Sequence, residues 1–241
     1  MATNTRYPFD HRKAIRTLSR EDRRLARLME RVGRFRLEMQ PAHSPFESLL
    51  EAIVYQQLNG KAAATILARV KNLFPLGRFP RPEEILKARD SALRSAGLSR
   101  QKIAALRDLA AKACDGTIPT LAAIRRMADA EIVERLTSIH GVGIWTVEMF
   151  LIFRMGRPDV LPVHDYGIRK GFALTFRCKE VPKPQEVAAR GERWRPYRTV
   201  ASWYLWRALD APARKPSRTE VPSPKDRNLR QRKTLDIENF R

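Results

Sequence analysis

Apolar residues recur three and four positions apart along most of the chain, and no pair of alternating runs flanks a hairpin dipeptide. The expectation is an all-α fold. Ser19 and Asp22 precede a stretch in which Leu25, Leu28, Met29, Val32 and Phe35 share one face while arginines hold the other, the pattern of an amphipathic helix lying on a core. Ser44-Pro45-Phe46-Glu47 combines an N-cap, a proline at the first helical position and a glutamate at the third, ahead of Leu49, Leu50, Ile53 and Val54. Asn59-Gly60 interrupts that pattern before Ala63, Ile66, Leu67, Val70 and Phe74 resume it. Two helices therefore meet at a polar turn containing Gln56, Gln57 and Leu58. Asp90 opens a short helix stopped by Gly97, Ser99 caps a longer one carrying Ile103, Leu106 and Leu109, and Thr120 and Asp129 stand as further N-caps. Residues 144–153, broken mainly by Thr146 and Glu148, predict a helix buried on nearly all sides. Past Asp210 the pattern ends: Pro212, Pro216, Pro222 and Pro224 alternate with basic residues, so 211–241 is expected to be a disordered basic tail on a folded module spanning 1–210.

Charge narrows the class of partner. Lys and Arg total 47 against 26 Asp and Glu, a net +21 that runs along the whole chain and points to a polyanion, nucleic acid before membrane. Cys114 and Cys178 are too few for a disulfide framework, a cysteine-rich zinc site or a four-cysteine iron–sulfur cluster. No apolar run approaches the roughly 20 residues that cross a bilayer, and residues 1–10 lack the apolar centre of a signal peptide. The expectation is a soluble, monomeric intracellular protein without a membrane partner, cytoplasmic or nucleoid-associated in a bacterium and nuclear in a eukaryote.

The candidate chemistry lies in residues 136–171. A helix led by Asp129 ends near Ile139, Gly141-Val142-Gly143 forms a turn, and the next helix begins at once. Glycines there let a phosphate reach backbone N–H groups at a helix N-terminus, with Gly141, Val142, Gly143 and Thr146 as the binding set, although a tight helix–helix turn uses the same spacing. About twenty residues further on stands Leu161-Pro162-Val163-His164-Asp165. Asp165 precedes Tyr166-Gly167-Ile168, a place for an N-cap and also for an exposed carboxylate, and the two roles are compatible. His164 reads as a modulating or capping residue.

These motifs together resemble the helix-hairpin-helix (HhH-GPD) DNA glycosylase superfamily. The resemblance rests on the LxxIxGVGxxT hairpin with its following aspartate, on residues 45–62 (PFESLLEAIVYQQLNGKA) and on the GLSxxK turn at 97–102. It rests also on Trp194-Arg195-Pro196-Tyr197-Arg198 followed by Trp203-Tyr204-Leu205-Trp206. It covers about residues 20–209 and is nearest to AlkA-type DNA-3-methyladenine glycosylase II enzymes, in a compact form without their N-terminal β-rich domain. It implies two helical lobes, about 45–160 and 10–44 plus 161–210, with the active-site cleft between them. It implies hydrolytic excision of alkylated purines, 3-methyladenine and also 7-methylguanine, from double-stranded DNA, with Asp165 as the catalytic carboxylate. Gln57 or Leu58 would be the wedge that fills the gap left by the flipped nucleotide. Trp206 would stack on the extruded base in a pocket shared with Trp145, Tyr55 and Met149; Met149 stands where an aromatic residue is usual, which bears on lesion range. Trp145 also occupies the position of the lysine that gives bifunctional members their lyase activity. No cofactor is required, and the hairpin carbonyls of Thr137, Ile139 and Val142 are those that would hold a structural monovalent cation. Two alternatives share the scaffold: a glycosylase for deaminated or oxidised purines using the same Asp165, and a non-catalytic DNA-binding protein in which Asp165 only caps a helix.

Overall fold

Capping side chains define most helix starts in the computed structural model, which describes residues 7–40 and 44–210; the tail expected at 211–241 lies outside the described residues. No strand occurs among them. The amphipathic helix expected around Ser19 to Phe35 is in fact a pair, α1 (His11–Glu21) and α2 (Arg23–Val32), with Ser19 inside the first. Asp22 splits them. Its side chain accepts the backbone N–H groups of Arg24 and Leu25 at 3.1 and 3.2 Å, a local alternative to continuing the helix. Gly33, at φ +84°, ends α2 and leaves Phe35 beyond the helix yet buried.

The next helix, α3 (Pro45–Tyr55), starts at Ser44, whose Oγ accepts the Glu47 N–H at 3.0 Å. It is followed by α4 (Gly60–Asn72), capped by Asn59, then by α5 (Pro82–Lys87) and α6 (Asp90–Ser95). Ser99 caps α7 (Arg100–Cys114) and Thr120 caps the single turn α8 (Leu121–Ile124). At α9 (Asp129–Thr137) the cap position belongs to Ala128; Asp129 sits one residue inside the helix and pairs with Arg157 at 3.2 Å. The hairpin's second helix, α10 (Ile144–Met149), runs on as one π-helical turn, Phe150–Arg154. Its first turn departs from the expected burial, because Ile144 is 44% and Trp145 47% exposed. Three helices complete the chain: α11 (Tyr166–Phe176), α12 (Pro184–Gly191) and α13 (Arg198–Arg207).

These helices form two lobes. In one, α3 packs on α4 and α7, α5 and α6 pack on α7, and the π turn after α10 returns onto α3. In the other, α1, α2 and α11 gather around α13, with α12 against α11. Gly171 permits the closest crossing, since a Cβ there would collide with the Leu205 carbonyl oxygen of α13. Asp22 ties this lobe together: Arg190 donates to it at 2.9 and 3.1 Å and the Trp194 indole at 3.2 Å. Burial opposes its ionisation, but those donors and the Leu25 N–H hold the carboxyl below its ordinary range. No described helix is long and apolar enough to cross a membrane.

Candidate active site

The loop from the π turn to α11 carries Asp165 and is pinned from behind. Arg198 binds Asp159 through Nε at 2.7 Å and Nη2 at 3.0 Å, and Arg195 adds a third contact at 2.7 Å. Thr199 donates its backbone N–H to Pro158 and accepts that of Val160 on Oγ1, and Ser202 Oγ donates to the Val160 carbonyl. The Trp-Arg-Pro-Tyr-Arg stretch thus works as a mount for this loop, on a pair of arginines forked around one carboxylate.

Asp165 accepts three hydrogen bonds. Its Oδ1 takes the Ile168 N–H at 2.8 Å, capping α11, and the Trp206 indole N–H at 3.0 Å. Its Oδ2 takes the Trp145 indole N–H at 2.7 Å, a bond reaching from α10 in one lobe to α11 in the other. A Cβ on Gly167 would crowd both Asp165 Oδ1 and Trp206 at about 3.0–3.1 Å, so glycine leaves this constellation its room. The side chain is half-buried and its neighbours are rigid rings. One residue thus caps α11 and presents its carboxylate to both lobes.

One helical turn beyond Trp145, Glu148 is buried at 8% exposure, and its Oε2 has no hydrogen-bond partner among the described residues. Burial, with the Asp165 carboxylate as a second cause, pushes its pKa up to about 7. In the sequence Glu148 is only a break in an apolar run, and no local pattern marks it as buried beside Asp165.

Beside this constellation opens a cavity of about 520 Å³. Tyr55, Trp145 and Met149 line it, together with Gln57 and Leu58 from the polar turn and Phe150 and Phe153 from the π turn. Its polar lining includes Gln40, Ser48 and the ion pair of Glu51 with Arg154, 2.6 Å apart. Trp206 is not among the lining residues. It stacks on Phe153, ring centroids 5.9 Å apart and 27° from parallel, so Phe153 presents the aromatic wall and Trp206 backs it. Phe153, Glu51 and Arg154 were not legible as neighbours, because only the return of the π turn onto α3 brings them together.

The two turns expected to meet nucleic acid lie side by side. Gln57, at φ +59°, and Leu58 are exposed at the end of α3. In the hairpin turn Gly141 uses its freedom at φ +76°, whereas Gly143 keeps an ordinary extended backbone. Val142 and Thr146 spend their own N–H groups inside the turn, on Ile139 and Gly143 at 3.0 Å each. Gly143, Ile144 and Trp145 therefore carry the unpaired first-turn N–H groups that helix geometry leaves over.

A hairpin turn feeding a helix N-terminus, an aspartate held at the lobe junction and a cavity with room for a purine base next to it define a class of DNA repair fold. The model of the HhH-GPD superfamily of base excision DNA repair proteins matches residues 50–196, and the chain belongs to that superfamily. Within it, the chain is 40% identical over 196 residues to DNA-3-methyladenine glycosylase 1 of Schizosaccharomyces pombe, covering 81% of this chain and 86% of that protein. The solved S. pombe 3-methyladenine DNA glycosylase in complex with abasic DNA superposes with a TM-score of 0.70, over 81% of this chain and 95% of that one. A DNA-3-methyladenine glycosidase from Bacillus halodurans, 36% identical, gives a TM-score of 0.76 over 85% of this chain and 92% of that one.

Proposed function

We propose that this protein is a monofunctional DNA glycosylase that flips alkylated purines, 3-methyladenine and 7-methylguanine, out of duplex DNA and hydrolyses their N-glycosidic bond. The observation that carries the reading is the fixed Asp165 carboxylate, held by two indole N–H groups and a backbone N–H beside the cavity. Alkylation at N3 or N7 makes the purine cationic. When the C1′–N bond breaks, its electron pair leaves with the base, which departs neutral. The sugar becomes an oxocarbenium ion, and Asp165 stabilises it and orients the water that adds to C1′. The proton lost by that water passes to the carboxylate or to solvent, leaving an abasic site. Because the departing base is already activated, no strong acid is required.

Trp145 fills the position from which a lysine amine would attack C1′, so strand cleavage through an imine has no agent there. Gln57 or Leu58 would enter the gap in the stack, and the N–H groups around Gly143 would grip a phosphate beside it. Tyr55, Trp145, Met149 and Phe153 would contact the extruded base, with Trp206 behind. The oxygen-only donor set of Thr137, Ile139 and Val142 suits a hard monovalent cation: the Ile139 carbonyl already accepts the Val142 N–H and keeps a second lone pair. Such a cation would steady the turn and takes no part in the chemistry. The protein would work as a monomer wherever its DNA is kept.

The test is product analysis on a methylated duplex. Wild type is expected to release free 3-methyladenine and 7-methylguanine, with strand breaks appearing only after alkali. Breakage without alkali would overturn the monofunctional assignment, and no released base from any lesion would favour the binding-protein alternative.

A further inference from the structure

Helix α7 touches both turns that the proposed function assigns to DNA, and it does so with polar side chains along one stripe. At its first turn Lys102 Nζ donates to the carbonyls of Val54 at 2.6 Å and Gln56 at 2.9 Å, at the C-terminal end of α3. Those carbonyls are the ones a helix end leaves unpaired and where its dipole is negative, so an ammonium fits there. Three residues on, Ala105 lies under the hairpin: a Cβ on Gly141 would come to 3.1 Å from that of Ala105. A turn later Asp108 Oδ2 accepts the His140 N–H at 2.7 Å, and Lys112 Nζ joins Asp108 at 2.7 Å to the Ser138 carbonyl at 2.6 Å. Positions 102, 105, 108 and 112 recur every three to four residues and so share one face. A last bond closes the frame, Gln56 Nε2 donating to the Gly141 carbonyl at 2.9 Å, directly from one turn to the other.

We propose that α7 is a brace that fixes the wedge turn relative to the phosphate-gripping hairpin, with Lys102 and Gln56 as the positioning residues that couple them. Lys102 is an unusual choice for stability alone. It meets carbonyl oxygens, forms no ion pair among the described residues, and burial pushes its pKa down. Its two bonds hold the residues immediately before Gln57, whose left-handed backbone at an exposed turn needs outside support. When the hairpin seats on a phosphate, the wedge then stands at a set depth in the stack. With the brace loosened the wedge yields, and the nucleotide must unstack against its full pairing energy. Chemistry on a base already extruded is untouched.

The inference rests on the base-flipping reading, and the experiment separates the two. Single-turnover release of 7-methylguanine is measured from one duplex in which the lesion is paired with cytosine and from another in which it faces a mismatch that lowers the extrusion cost. The variants are Lys102→Met, Lys102→Arg and Gln56→Ala. Each missing bond is expected to slow the paired substrate by about tenfold, the effect of a hydrogen bond worth about 1–1.5 kcal/mol. The mismatched substrate should slow less than about threefold, and Lys102→Arg should restore the paired rate. Equal slowing on both duplexes, or none on either, would overturn the brace. Should Lys102→Met fail to fold, Gln56→Ala, which removes the bond across the turns and leaves the backbone carbonyl that Lys102 meets, decides by the contrast between the two duplexes, because a change in the cavity wall that Gln56 also lines slows both alike. No release by wild type from either duplex would overturn the glycosylase reading itself, and the brace with it.

Discussion

The Asp165 carboxylate is surrounded by donors that were legible as residues but not as partners. The sequence displayed Trp145 and Trp206 as aromatic candidates for a pocket; that both aim an indole N–H at the same carboxylate depends on how two lobes meet. Replacing Trp145 with phenylalanine keeps most of its ring surface and deletes one charge-assisted bond. The expected result is a fall in kcat of about tenfold, for a bond worth about 1.5 kcal/mol, with KM little changed. Glu148 has a different consequence. Its folded pKa of about 7 lies above the ordinary glutamate value of 4.5, so the native state holds a proton that the unfolded chain releases earlier. Stability contributed by that proton is full below about pH 4.5 and is lost as pH rises towards 7 and beyond, by about 1–3 kcal/mol. Chemical denaturation at pH 5 and pH 8 should show Glu148→Gln narrowing the difference that wild type displays; an unchanged difference would contradict this account.

At the level of elements, local chemistry was readable and long-range contacts were not. Ser44, Ser99 and Thr120 each cap the helix that their sequence context announced, because a cap bonds within three residues. The break at Asp22 was not legible: its backbone N–H closes α1 on the Leu18 carbonyl and its side chain opens α2, while apolar spacing continues across the break. Lys102 belonged to a visible motif, yet its acceptors are backbone carbonyls about fifty residues away, which no side-chain pattern records. Gly171 makes the crossing of α11 and α13 testable. Gly171→Ala should force those helices apart and lower stability by about 1–3 kcal/mol despite alanine's better helix propensity, as read by thermal or urea unfolding. A neutral or stabilising outcome would mean that the crossing is looser than described.

For the molecule as a whole, the net charge of +21 announced a polyanion and said nothing of chemistry, which the proposed function assigns to a negative residue. The all-α class, the hairpin and the site aspartate were legible because they are local in sequence. The aromatic wall of Phe153, the Glu51–Arg154 pair and the buried Glu148 were not, because tertiary packing alone assembles them. Duplex binding should weaken linearly in log–log form as salt rises, with a slope reporting how many phosphates are neutralised. The central claim is that Asp165 performs the hydrolysis while other residues hold the DNA. Its most direct test compares wild type with Asp165→Asn in two assays, single-turnover release of 7-methylguanine and affinity for a duplex containing an abasic site. Release is expected to fall by at least about a hundredfold, the scale of losing a major transition-state electrostatic contact, while affinity stays within a few-fold. Release near the wild-type rate, or a parallel collapse of affinity, would contradict it.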